Sequence, residues 1–201
     1  MYRLINTNAH EIIKWILPDK IYEELLVGVT AEAVQSEAYQ LKFRRYWGMN
    51  AAQLSAGFHQ TYFARLAEAL KTPMTIEPLA ATLYEASVRK DGRKSIQFSF
   101  ATKLLHMANP SLPIYDSYVA QFYFFEPPFY GEFAERLPRL VGFYRFLVDE
   151  YARILKHALL AEAIGEFRRA DLADCWTDER IIDYLIWGAV KLLREQKLSY
   201  N

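Results

Sequence analysis

Lys103 and Asp116 are the residues whose types and spacing point most directly to chemistry. Lys103 lies inside the apolar run Ser99-Phe100-Ala101-Thr102-Lys103-Leu104-Leu105-His106, and Asp116 follows in Pro113-Ile114-Tyr115-Asp116-Ser117. A lysine flanked at helical spacing by Phe100, Leu104 and Leu105 loses hydration, which disfavours its ammonium form and moves it toward the neutral amine that a nucleophile requires. A nearby carboxylate acts in the opposite sense, because an anion favours the ammonium. The residues alone therefore leave three readings open: a Schiff-base-forming lysine with a carboxylate partner, an internal ion pair joining one helix to the next, or a lysine that snorkels to water.

Other side chains group around this pair. His106 falls near Lys103 on a helix, Tyr115 directly precedes Asp116 where a pocket would open, and Trp187 stands between Asp183 and Lys191 at steps of four. These are the candidate pocket residues. Tyr118, Phe122 and Phe125, which continue the spacing from Tyr115, read as core because such rings bury large areas. Arg89, Lys90, Arg93 and Lys94 surround Asp91 just before the lysine run, where a phosphate contact or a solvated turn would fit. Lys42, Arg44 and Arg45 beside Tyr46 and Trp47 form a second basic cluster, and Arg168-Arg169 a third.

Several chemistries are excluded by absent patterns. There is no phosphate-cradling glycine loop, no His-Glu-x-x-His helix and no Gly-x-Ser-x-Gly elbow. His10, His59, His106 and His157 lack metal-ligand spacing, so no metal site is expected. Cys175 stands alone, which precludes an internal disulfide and a cysteine-based zinc site and fits a reducing compartment.

The elements that must position these groups are helices. With 201 residues, 52% apolar and 15% aromatic, the chain has ample material for one core and is expected to be a single domain spanning 1–201, shaped as one body with two lobes. The 24 basic residues balance 24 acidic ones, so attraction to nucleic acid or anionic lipid would have to come from a local patch. Start signals followed by apolar positions of helical period predict helices near 8–17, 30–46, 50–71, 75–89, 95–107, 116–125, 132–167 and 177–197. Among these signals, Asn8 with Glu11 and Asn50 with Gln53 read as capping boxes. Asp116 with Ser117, and Thr177, occupy N-cap positions. No stretch alternates strictly with β-branched residues, so the expected class is all-α with eight or nine helices. The polar Asn6, Thr7 and Asn8 stand where a secretion signal would be apolar, and no run is apolar enough to span a bilayer, so a cytoplasmic protein with no membrane partner is expected.

Ser-Phe-Ala-Thr-Lys, then Asn109-Pro110, then Pro-Ile-Tyr-Asp-Ser resembles the hairpin and following helix of the helix-hairpin-helix DNA glycosylases, in their 8-oxoguanine-glycosylase-like branch. The closing Arg180-Ile181-Ile182-Asp183-Tyr184-Leu185-Ile186-Trp187 resembles the C-terminal helix of that branch. The likeness covers about residues 80–125 and the last helix. It implies a helix-hairpin-helix fold and a DNA partner, damaged duplex or single strand. In the implied reaction Lys103 attacks the sugar C1′ and Asp116 assists, with base excision and strand scission needing neither metal nor cofactor. It further implies phosphate contacts from Lys90, Arg93, Lys94, Ser99 and Thr102. Lys94 to Thr102 contains no glycine where the family's hairpin brings backbone N–H groups to a phosphate. That departure and the zero net charge favour the alternative, a catalytically inactive helical module that binds a protein or nucleic acid. A third reading has Lys103 forming a Schiff base with a different small substrate.

Overall fold

The computed structural model describes residues 1–15, 20–88, 94–170 and 175–198. Among these residues there are eleven α-helices and no strand: α1 (Tyr2–Thr7), α2 (Ala9–Trp15), α3 (Lys20–Val27), α4 (Glu37–Tyr46), α5 (Ala56–Ala69), α6 (Ile76–Ala86), α7 (Phe98–Ala108), α8 (Ser117–Phe122), α9 (Phe133–Lys156), α10 (Ala161–Arg169) and α11 (Asp178–Arg194). Short 3-10 turns at Ala33–Gln35 and Met49–Ala52 precede α4 and α5. The all-α expectation is met, with more and shorter helices than the eight or nine anticipated.

The extra helices have local causes. The single helix expected over 132–167 is two, because Ala158 takes φ +53° and interrupts the helix before α10. The Leu159 amide donates to the Ile154 carbonyl across this left-handed residue, closing α9 in the manner usually reserved for glycine. An alanine at that position gives no stop signal in the sequence. A non-glycine residue in this conformation is strained by about 1–2 kcal/mol, partly offset by the extra entropy glycine loses on folding. Ala158→Gly is therefore expected to raise stability by about 0.5–1 kcal/mol, read as a shift in the urea midpoint at constant slope.

The helix expected over 50–71 begins late for a similar reason. Gly48 and Gln53 both have positive φ, so Asn50 lies in the 3-10 turn and Ser55 caps α5, accepting from the Phe58 amide at 3.1 Å. Within 30–46, Ser36 caps α4 by accepting from the Tyr39 amide. Asn8 donates to the Leu4 carbonyl and closes α1. Helices α1 and α3 had no counterpart in the sequence reading.

One group of helices packs α5 against α6 and α7, with α3 on α4, while α11 packs against α8, α2, α10, α9 and α1. Helix α9 touches both α6 and α11, and one hydrophobic core runs through the two groups. Tyr22, Phe43, Phe58, Tyr62 and Phe63 are fully buried in the first group, and Ile181, Ile182, Leu185 and Ile186 in the second. No helix among the described residues is long and apolar enough to cross a membrane.

Candidate functional site

Helices α7, α8 and α11 and the end of α4 enclose a cavity of about 320 Å³. Its walls are Tyr46, Trp47, Lys103, Ile114, Asp116, Val119, and, from the start and length of α11, Trp176, Arg180, Asp183, Tyr184 and Trp187. The volume is at the small end of ligand pockets, and the wall chemistry, flat rings around a few charges, is typical of them.

Lys103 reaches this cavity from the middle of α7. Its Nζ lies 5.4 Å from the Trp47 ring centre and 5.1 Å from that of Phe100, so aromatic faces take the place of water. Burial lowers its pKa from 10.5 to about 8, opposed by Asp116 and reinforced by the Arg180 cation. Asp116 is the N-cap of α8, as its position in the sequence implied. Its Oδ1 accepts from the Tyr118 and Val119 amides at 2.8 and 2.9 Å. Oδ2 has no partner among the described residues, and the side chain faces the cavity. Burial raises the Asp116 pKa, against the pull of those two amides and the Lys103 charge. Lysine and aspartate interact through space as opposite charges and make no direct hydrogen bond or salt bridge.

The segment that carries Asp116 is pinned at three points. The Ile114 amide donates to Asp183 Oδ2 at 3.0 Å, the Tyr115 amide donates to Thr102 Oγ1 at 3.1 Å, and Thr177 Oγ1 donates to the Pro110 carbonyl at 2.9 Å. Asp183 Oδ1 accepts from the Tyr151 hydroxyl, and burial raises the Asp183 carboxyl to about 7. Both of its oxygens are engaged in holding backbone and neighbour, so Asp183 is a positioning residue.

The remaining candidates fall in different places. Trp187 lines the cavity, packed edge-on against Tyr118 and beneath Lys191 Nζ at 5.0 Å. His106 does not reach it. The imidazole is fully buried one layer behind, with Nδ1 2.7 Å from the Leu112 carbonyl and Nε2 2.6 Å from the Tyr22 hydroxyl. A carbonyl only accepts, so Nδ1 carries the proton and Nε2 accepts from Tyr22. Burial lowers this histidine to about 3 and keeps it neutral. Tyr115 also misses the cavity and turns into a cluster with Phe98, Phe125 and Phe143, where burial raises its pKa to about 12.

Of the residues expected to meet phosphate, Lys90 and Arg93 lie outside the described residues. Lys94 Nζ is paired with Glu85 and sits over the Tyr84 ring. Thr102 is fully buried, donating to the Ser99 carbonyl at 3.0 Å while accepting from Tyr115, and Ser99 is partly buried. Thr102 thus holds the Asp116 segment and has no surface to offer DNA. Elsewhere Lys42 pairs with Glu24, Arg168 with Asp178 and Arg169 with Glu166, so much of the basic side-chain charge is met locally.

Sequence reasoning missed Arg180, Trp176, Tyr184, Tyr46 and Trp47 as cavity walls. A signal existed for the first three: Trp176, just before α11, and Arg180, Asp183, Tyr184 and Trp187 within it recur at steps of three and four, a polar-aromatic stripe beside the helix's apolar face. No group of three or more His, Cys, Asp or Glu among the described residues is placed to hold a metal ion. No family model, curated protein or solved structure matches the chain.

Proposed function

We propose that this protein is a base-excision enzyme of the 8-oxoguanine-glycosylase type with associated lyase activity, using Lys103 as its nucleophile. The observation that carries the reading is that Lys103 and Asp116 share one aromatic-walled cavity without bonding to each other, the lysine being shifted toward its amine. A flipped base would enter between rings on which any base can stack.

The chemistry follows from those two groups. The lone pair of Lys103 Nζ attacks the sugar C1′, and the electrons of the C1′–N bond leave with the base. The proton shed by the amine passes to the departing base through Asp116 Oδ2. Ring opening breaks the C1′–O4′ bond, O4′ taking a proton from water, and turns the new C1′–Nζ bond into an imine; water then takes a proton from C2′ as the C3′–O bond breaks and the 3′ phosphate leaves. Asp116 also offsets positive charge developing on the sugar.

Sodium borohydride tests this directly, because it reduces the imine to a stable amine. Incubation with duplex and single strands containing 8-oxoguanine, an abasic site or neither is expected to give a covalent adduct on the damaged strands alone. No adduct from folded protein on any of them would overturn the proposal. Asp116→Asn supplies a second check. Asparagine caps a helix as well as aspartate, so stability should stay within about 0.5 kcal/mol. The maximal trapping rate should nonetheless fall at least tenfold, in keeping with loss of a proton-transfer group. Removing the anion also withdraws the interaction that holds the ammonium, so the pH midpoint of trapping should move below about 8.

A further inference from the structure

A second feature of the cavity concerns its hydrogen-bonding sign. Among the described residues, five buried side-chain nitrogen or oxygen atoms have no hydrogen-bond partner, and three of them, Trp47 Nε1, Trp176 Nε1 and Arg180 Nε, belong to residues of this one wall. All three are N–H donors. Arg180 is only 9% exposed, its guanidinium carbon lying 4.5 Å from the Tyr22 ring centre, 4.8 Å from Trp176 and 5.6 Å from Trp47. With three rings this close, bonding falls to the N–H groups at the guanidinium edge. One of these, from Nη2, meets the Tyr46 hydroxyl at 3.1 Å. Asp183 and Tyr46 act on the guanidinium, but its one side-chain hydrogen bond is to Tyr46 and no carboxylate is bonded to it.

A buried cation normally has an anion beside it, because its lost hydration must be replaced. Asp183 acts on Arg180 through space, but no acceptor of this wall is bonded to its Nε. Asp183 uses both oxygens on Ile114 and Tyr151, and Asp116 uses Oδ1 on the α8 amides, which leaves Asp116 Oδ2 as the carboxylate oxygen still open to the cavity. Two cations and two carboxylates line the wall, and the groups left without a partner are three N–H donors against one oxygen, Asp116 Oδ2. The complementary group is small, negatively charged and composed of acceptors. A guanidinium edge backed by N–H groups matches the oxygens of phosphate, which needs no donor in return.

We infer that Arg180, with the indole N–H groups of Trp47 and Trp176, forms a subsite for the phosphate of a nucleotide whose base stacks on the neighbouring rings. This goes beyond the lyase reading and does not require it, since binding involves no reaction at Lys103. Phosphate could be presented at a nucleotide terminus or within a strand, and the ligands of the test separate the two.

Calorimetric titration at pH 7 with inorganic phosphate, deoxyguanosine, deoxyguanosine 5′-monophosphate and a dinucleotide whose sole phosphate is internal makes the comparison. The monophosphate is expected to bind saturably and at least tenfold more tightly than the nucleoside. Tighter binding of the dinucleotide than of the monophosphate would assign the subsite to an internal phosphate of a strand. Trp47→Phe and Trp176→Phe keep a ring and remove one donor, and each should weaken the phosphorylated ligand about three- to tenfold more than it weakens the nucleoside. Arg180→Lys should weaken it at least tenfold. Equal affinity for nucleoside and both phosphorylated ligands overturns the inference, as does phosphate binding that both tryptophan variants leave intact. Failure of borohydride trapping with these affinities as expected would remove the lyase reading alone, and the converse result would remove the phosphate subsite alone.

Discussion

Lys103→Gln is expected to reduce borohydride trapping to background, a loss of three orders of magnitude or more, since no other group in the cavity can form an imine with C1′. The lysine at the site should show itself in the pH profile as well. With a pKa of about 8, roughly a tenth of Lys103 is amine at pH 7, several hundred times the fraction an ordinary lysine at 10.5 would offer. Trapping should rise about tenfold per pH unit below that value and level off above it. Stability separates this role from a structural one. The folded protein releases the lysine proton at about 8 and the unfolded chain at 10.5, so between those values the unfolded state binds more protons and stability climbs with pH. Below 8 both states carry the charge and the full desolvation cost remains. Lys103→Met removes that cost, so at pH 7 it should melt at or above the wild-type temperature, with a gain of up to about 3 kcal/mol. A fall in melting temperature together with undiminished trapping would reassign Lys103 to the fold.

The second large effect falls on a residue that touches no reacting atom. Asp183→Ala strips acceptors from the Ile114 amide and the Tyr151 hydroxyl, both buried. Asp183→Asn keeps the amide bond through its oxygen and can donate to the tyrosine, so the alanine variant should be the less stable of the two by about 2–4 kcal/mol in urea unfolding. Comparison of the asparagine variant with wild type reports the carboxyl's charge. Its folded pKa of about 7 lies above the ordinary 3.8, so the wild-type group favours folding fully below 3.8 and progressively loses that contribution as pH rises to 7. Asparagine does not titrate, and its stability relative to wild type should therefore improve steadily from pH 4 to pH 7. The alanine variant should also trap damaged DNA more slowly, because Ile114 no longer holds the Asp116 segment against α11; equal rates for both variants would show that the pin does not serve the site.

The parts of this arrangement that were legible in the sequence are those set by near neighbours. The apolar neighbours Phe100, Leu104 and Leu105 made a desolvated Lys103 one of the readings open to the sequence, and Asp116 before Ser117 was placed to cap a helix. Thr177 as the cap of α11 is of the same kind. What was illegible depended on which way a helix turns. His106 is three residues from Lys103, about 60° around the helix, and that offset takes it out of the cavity and under Tyr22. Thr102, read as a DNA contact, is turned inward by the amide of Tyr115. Trp47, Lys103 and Arg180 converge only because the end of α4 and the helices α7 and α11 border one cavity, and no local pattern states that distance. The helix break at Ala158 was hidden for another reason, since a residue that rarely adopts left-handed geometry adopts it there.

Three of the four tryptophans of the chain, Trp47, Trp176 and Trp187, line the cavity, while Trp15 stands exposed on α2 with Lys197 above its ring. Indole emission responds to nearby cations, to ring stacking and to water. The ultraviolet fluorescence of this protein is therefore dominated by the place where a ligand would enter, with one surface indole as an internal reference. Occupancy can be followed in the unlabelled protein by light alone.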